Sequence, residues 1–187
     1  MTVACIIPTA GKRPEMMKET LASLEAQTVK VNETIILLDD KRDTVWLRIN
    51  DGVRKSTSDA FFVLCDDDMI RPTFVEKTTR MMEETGADLV SVALENFGQG
   101  KNDVHQCGKT PFITALTRKS IWEKTGGYDQ AAGLPGDYDF YLMCLEKGAK
   151  WEKIADPLLL FRQHPIKWSN EDDWGAGFAY VKKKHQI

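Results

Sequence analysis

Phe61-Phe62-Val63-Leu64-Cys65-Asp66-Asp67-Asp68-Met69-Ile70-Arg71-Pro72 (FFVLCDDDMIRP) sets three consecutive aspartates directly after five residues that read as a buried strand. A short apolar run of this length, rich in aromatic and branched side chains, suits a strand covered on both faces. Adjacent carboxylates repel one another and resist leaving water, so the cluster costs stability unless a cation, a strong donor or water compensates it. An exposed turn that happens to be acidic is the plain alternative. A calcium-binding EF-hand loop is excluded, because counted from Asp66 the glycine position holds Arg71 and the terminal glutamate position holds Lys77. What remains is a short hard-oxygen site suited to Mn²⁺ or Mg²⁺, held by one or two carboxylates and completed by phosphate oxygens and water. A diphosphate is the ligand such a site implies.

The flanking sequence repeats the pattern. Val3 to Ile7 reads as a buried strand ending at Pro8-Thr9, and Thr34 to Leu38 as a second buried strand ending on Asp39-Asp40. Between them Pro14 opens a helix whose Met17, Leu21 and Leu24 share one face. After the aspartates, Pro72 opens another helix through Met81 and Met82 towards Gly86. Strands separated by helices predict an α/β fold with a mostly parallel central sheet flanked by helices. In open sheets of this kind ligands bind beyond the carboxyl ends of the strands, so the polar residues at the three strand ends converge on one crevice. Residues 43–58 stay open between helix, from Val45, Ile49 and Val53, and a short strand, with Gly52 arguing against an uninterrupted helix; the helical reading is favoured.

Further along, residues 88–94 and 111–116 read as strands, 119–125 as a helix stopped by Gly126-Gly127, and 138–147 as a helix stopped by Gly148. Residues 158–161 read as a last short strand. Residues 168–180 suit a terminal helix, with Lys182-Lys183-Lys184 as a solvated, frayed tail.

A length of 187 residues suits one domain. Its expected parts are an N-terminal half (1–70), a second half (86–165) and a C-terminal helix and tail (166–187). A net charge of −3 makes nucleic acid an unfavoured partner. Four dispersed cysteines without a C-x-x-C pair suit free thiols in a reducing setting. With no leader-like start and no apolar run of membrane-spanning length, the expected location is cytoplasmic.

Five segments, in this order, resemble the GT-A glycosyltransferases and within them the large inverting family 2: CIIPTAGKRPEMMKETLASLEAQT, ETIILLDD, FFVLCDDDM, LTRKSIWEKTGGYDQ with GDYDFYLMCLEKG, and FRQHP. The resemblance implies metal-dependent, inverting transfer of a sugar from a nucleoside-diphosphate sugar, UDP-sugars favoured, to a hydroxyl acceptor. It implies that Pro8 and Thr9 line the nucleotide, that Asp40 with Asp39 meets the base, and that Arg54 in NDGVRKS meets the nucleotide or a phosphate. Asp66 and Asp68 frame the family's D-x-D pattern. By that resemblance Asp68 is the main ligand for Mn²⁺ or Mg²⁺, Asp66 faces ribose or sugar and is a further metal candidate, and Asp67 shares either role. His164 is a third metal ligand or a loop histidine packed on Trp168. Asp137 stands at the position of the catalytic base, with Asp139 as the fallback; as a residue just before a helix, Asp137 also suits a cap.

Departures from the family accompany these matches: the segment between Asp40 and Phe61 is short and the acceptor half is compact. Gly136-Asp137 replaces the Glu-Asp common in relatives, and Ala10-Gly11-Lys12 lacks an aromatic residue for base stacking. A sugar-nucleotide nucleotidyltransferase and a non-catalytic nucleotide-sugar-binding protein remain the alternatives. The acceptor is open among glycan, lipid-linked sugar, protein, small molecule and modified nucleic acid.

Overall fold

A computed structural model of the chain describes residues 1–38, 44–100, 102–108, 111–165 and 174–187. Alternation along the strands sorts the core into two layers. In β1 (Val3–Thr9), Val3, Cys5 and Ile7 face one side of the sheet, while Ala4 and Ile6 face the other. In β3 (Ala60–Val63) and the residue after it, Phe62 and Leu64 join the first side and Phe61 and Val63 the second. Side chains of a strand alternate between faces, so a strand apolar at every position must be covered twice. Helices α1 (Pro14–Glu25) and α3 (Phe74–Thr85) cover the first side through Leu24, Phe74, Val75 and Met82. Helices α2 (Val45–Lys55), α4 (Lys119–Thr125) and α5 (Gly136–Glu146) cover the second through Trp46, Ile49, Val53, Ile121, Trp122, Phe140 and Tyr141.

The remaining strands are β2 (Glu33–Leu38), β4 (Met69–Ile70), β5 (Leu89–Gly98), β6 (Val104–His105), β7 (Leu116–Arg118) and β8 (Trp151–Gln163). They form one sheet in the order β2-β1-β3-β7-β5-β8-β4, with β6 on β5. The sheet is mostly parallel: β1 with β2, β1 with β3 and β5 with β8 are the long ladders, and each antiparallel pairing joins only two residues per strand. Pro8 sits in β1 without loss. The Ile6 carbonyl accepts from Leu64 N at 2.9 Å, so the missing N–H two residues on points to the side where β3 has already left the sheet.

Residues 45–55 are helical, and Gly52 is the reason α2 lies close to the sheet. A Cβ there would stand 2.8 Å from Leu37 Cδ1 and 3.1 Å from Ile6 Cγ2. Three expectations need correction. The strand expected at 111–116 begins only at Leu116; Ala115 N closes a turn on Phe112 O at 3.1 Å. The short strand expected at 158–161 is the end of the thirteen-residue β8, whose first half is polar and carries Pro157 at a register shift opposite Val92 to Leu94. Proline is tolerated where a bulge interrupts the ladder, which is why the run looks broken in sequence. Finally, Lys182 to Lys184 are no frayed tail but belong to α6 (Trp174–His185). No helix among the described residues is long and apolar enough to cross a membrane.

Candidate active site

The aspartates form a turn that leaves β3 at the carboxyl edge of the parallel strands, closed by Asp68 N on Cys65 O at 3.1 Å. All three are buried. Their charge is met from three directions. Arg13, the residue before α1, donates through Nη1 to Asp67 Oδ2 at 2.5 Å and through Nη2 to Asp66 Oδ1. Thr9, at the end of β1, donates to Asp66 Oδ2 at 2.5 Å. From β8, Arg162 N donates to Asp68 Oδ1 at 2.9 Å and Arg162 Nε to the Asp67 carbonyl at 2.7 Å, and just past the strand His164 Nε2 meets Asp67 Oδ2 at 2.9 Å. Thr20 of α1 donates to the Asp68 carbonyl at 2.7 Å. Burial pushes the Asp66 carboxyl above its ordinary range, although Thr9 and Arg13 favour its charged form.

Donor atoms of Cys65, Asp67 and Asp68 lie within 4.8 Å of one another. The two carboxylates fit Mn²⁺ or Mg²⁺; the thiol is the wrong donor for either hard cation. Asp66 lies outside this group, and its two oxygens accept from Thr9 and Arg13. His164 touches Asp67 instead of completing the Cys65, Asp67 and Asp68 group.

A second carboxylate stands on the same edge of the sheet. Helix α5 ends at Glu146 and turns into Trp151, which lies beside Leu89 at the start of β5, so its first turn faces the carboxyl edge. Asp137 sits in that turn, half-buried, and accepts from Tyr138 N at 2.7 Å. Desolvation raises its pKa from 3.8 to about 6 despite that hydrogen bond. The cap position belongs to Pro135, so Asp137 serves the first turn from inside the helix. Gly136 has a local reason: a Cβ there would lie 2.4 Å from the Trp46 indole, which donates to Gly133 O at 2.6 Å and stacks on Tyr128. The side chain missing from the Glu-Asp pair is replaced by packed tryptophan.

Asp139, the fallback base, is enclosed. It has no exposed surface, and Lys184 Nζ at 2.8 Å and His185 Nε2 at 2.9 Å hold its two oxygens. Lys184 also reaches Asp129 at 2.9 Å, and Tyr180 donates to Asp129 at 2.6 Å. Against its own desolvation, these carboxylates hold the Lys184 ammonium above its ordinary range. Asp139 is thus committed to fastening α6 onto α5.

Arg54 is not brought to the site. It lies in the last turn of α2, which descends from the carboxyl edge of the sheet to the start of β3, and its partners are Asp51 and the Trp122 ring. Pro8 and Thr9 stand at the crevice. Asp39, Asp40 and Trp168 lie outside the described residues. Sequence reading missed Arg13, Arg162 and Thr20; only the lysine-arginine pair in the loop after Pro8-Thr9 offered a signal.

A mostly parallel sheet flanked by helices, with an acidic turn leaving the carboxyl end of a central strand, is a GT-A-type fold. Among solved structures, the chain is similar to TarS of S. aureus, with a TM-score of 0.75 and 13% identity over 99% of this chain and 39% of that one. Residues 1–349 of TarS in complex with UDP-GlcNAc give 0.75 and 12% over 98% of this chain and 66% of that one. The complex of the same TarS segment with UDP gives 0.73 and 13%, over 98% and 64%. This chain therefore spans about two-fifths of the first of these TarS structures and about two-thirds of the other two. No protein-family model and no curated protein matches the sequence.

Proposed function

We propose that the protein is a glycosyltransferase that moves a sugar from a nucleoside-diphosphate sugar, a UDP-sugar in first place, to a hydroxyl group with inversion. The observation that carries this reading is the pairing of the buried acidic turn after β3 with the half-buried Asp137 on the same edge of the sheet. The TarS complexes with UDP-GlcNAc and UDP support the choice of donor.

In this reading Asp68 and Asp67, with His164 beside Asp67, would hold Mn²⁺ or Mg²⁺. When bound, that cation supplies charge stabilisation of the departing diphosphate. Pro8 and Thr9 line the nucleotide, and Asp39 and Asp40 keep the base-binding role that the family resemblance gives them. Asp137 takes the proton of the acceptor hydroxyl as its oxygen attacks the anomeric carbon. The bond from that carbon to the diphosphate oxygen breaks with its electron pair leaving on the diphosphate, so one displacement inverts the centre. A carboxyl with a pKa near 6 suits a general base here, being mostly ionised at neutral pH yet basic enough to accept the proton.

Calorimetry of UDP binding tests the site. Binding should be tighter with Mn²⁺ than with EDTA, and Asp68→Ala should remove the difference. Equal binding with and without metal in the unmodified protein would overturn the metal assignment. A panel of sugar nucleotides, followed by thermal shift and by donor hydrolysis, then identifies the sugar.

A further inference from the structure

The acidic turn already has a cation of its own. The Arg13 side chain is only 18% exposed, and its fork spans Asp66 and Asp67, whose side chains are 1% and 5% exposed. Asp67 Oδ2 receives both Arg13 Nη1 and His164 Nε2. The same Asp67 carboxylate belongs to the group that fits a divalent ion. A guanidinium and a divalent cation on one carboxylate stand within a few ångströms of each other, where like charges in a poorly solvated site repel strongly.

We infer that Arg13 is a resident counter-ion which a divalent cation displaces, and that the released guanidinium then pairs with the phosphates of the nucleoside diphosphate. The inference rests on the proposed function, since it takes Asp67 as a metal ligand and a diphosphate as the joint ligand. Local structure permits the exchange. Arg13 ends the loop 10–13, which is fixed at one end by Gly11 N on Thr9 Oγ1 at 3.0 Å and at the other by Pro14 at the start of α1. The backbone can therefore stay while the side chain turns about its own bonds. A planar guanidinium with parallel N–H donors matches phosphate oxygens as well as it matches carboxylates, so it exchanges one fork for another. The Asp67 charge is then neutralised in both states, by Arg13 before binding and by the metal afterwards, while Asp66 keeps the Thr9 hydroxyl.

The consequence is coupling. Metal alone must expel Arg13 with nothing to receive it, whereas metal with diphosphate gives the guanidinium a new partner. Mn²⁺ and UDP should therefore strengthen one another's binding reciprocally, with a factor of about ten or more, within the usual range for linked sites.

Free Mn²⁺ measured by electron paramagnetic resonance, with and without UDP, reads this directly. In the unmodified protein, Mn²⁺ should bind weakly alone and tighten about tenfold or more with UDP. In Arg13→Gln, Mn²⁺ alone should bind about tenfold more tightly, UDP should bind more weakly, and the coupling should shrink towards one. Arg13→Lys keeps a charge beside the aspartates without the fork and guards against misfolding of the glutamine variant; its Mn²⁺ affinity should stay weak while UDP affinity falls. Unchanged Mn²⁺ and UDP affinities in the variants, beside intact Mn²⁺-dependent UDP binding in the parent, would overturn the role of Arg13 and leave the proposed function standing. Absence of any Mn²⁺ effect on UDP binding in the parent would overturn both.

Discussion

Asp137 and Asp139 are two residues apart and have opposite fates. The first is half-buried with a pKa raised to about 6; the second has no exposed surface and is held by Lys184 and His185. In sequence they are equivalent acids at the start of one helix, because the partners that separate them arrive from the far end of the chain. Arg13 was illegible for the same reason: its meaning lies in a contact with residues more than fifty positions away. Asp137→Asn should keep donor binding while turnover falls about 10²–10⁴-fold, the usual contribution of a general base. The pH profile adds a sign. Below about 6 Asp137 carries its proton and cannot accept another, so the transfer rate should rise with pH through about 6 and then level. Linkage runs the other way: the folded state holds this proton more tightly than an unfolded chain with an ordinary pKa of 3.8, so the protein loses stability as pH climbs from about 4 through about 6. The asparagine variant should therefore melt higher than the parent at pH 8 and nearly with it at pH 4, read by thermal unfolding at the two pH values.

At the scale of elements, β1, α1, β3 and α3 were legible because each has a clear apolar pattern and a clean boundary; β2 was legible as a strand but not as an edge, for its Ile36 and Leu38 are exposed and not buried as their apolar run suggests. Helix α2 was half-legible: Gly52 weakens helical propensity but permits close approach to Ile6 and Leu37. Strand β8 was mostly illegible, since Pro157 and a polar first half disguise a strand whose pairing tolerates a register shift. Helix α6 was misjudged at its end. Three lysines in a row look solvated, yet Lys184 reaches a fully buried carboxylate, and Gly177 lets the helix approach Pro135 and Ala132, where a Cβ would come within 2.6 Å of both. The fastening of α6 to α5 gives a prediction of stability and not of chemistry. Asp139→Asn removes the charge that Lys184 and His185 share and should cost about 3 kcal/mol, the lower part of the range for breaking a buried pair, because Lys184 keeps Asp129. Hydrogen exchange should then show amides of α6 losing protection before those of α2. Turnover per folded molecule should be retained at temperatures below the transition; its loss there would mean that Asp139 acts on the reaction itself.

For the whole molecule, the mostly parallel α/β architecture follows from the alternation of strands and helices, whereas its GT-A type came from the family resemblance; the carboxyl edge that the alternation predicts is where the acidic turn and Asp137 stand. The single backward strand in the middle of that sheet was not foreseeable from periodicity. Strand β7 is three residues long, pairs with Ala60 and Phe61 on one side and with Leu89 and Val90 on the other, and joins the β2-β1-β3 ladder to the β5-β8-β4 ladder. The acidic turn leaves the first ladder, whereas Arg162, which grips it, belongs to the second, and His164 follows directly on the end of β8. Assembly in time follows from this seam. Each ladder can form from its own segments, but the grip on the aspartates requires both in register, and contacts of long sequence separation form late. On dilution from denaturant the far-ultraviolet signal of the helices should recover before the capacity to bind UDP with Mn²⁺. Simultaneous recovery would mean that the two ladders fold as one unit. The interval between the two signals is the time that three residues, Leu116 to Arg118, need to find their slot.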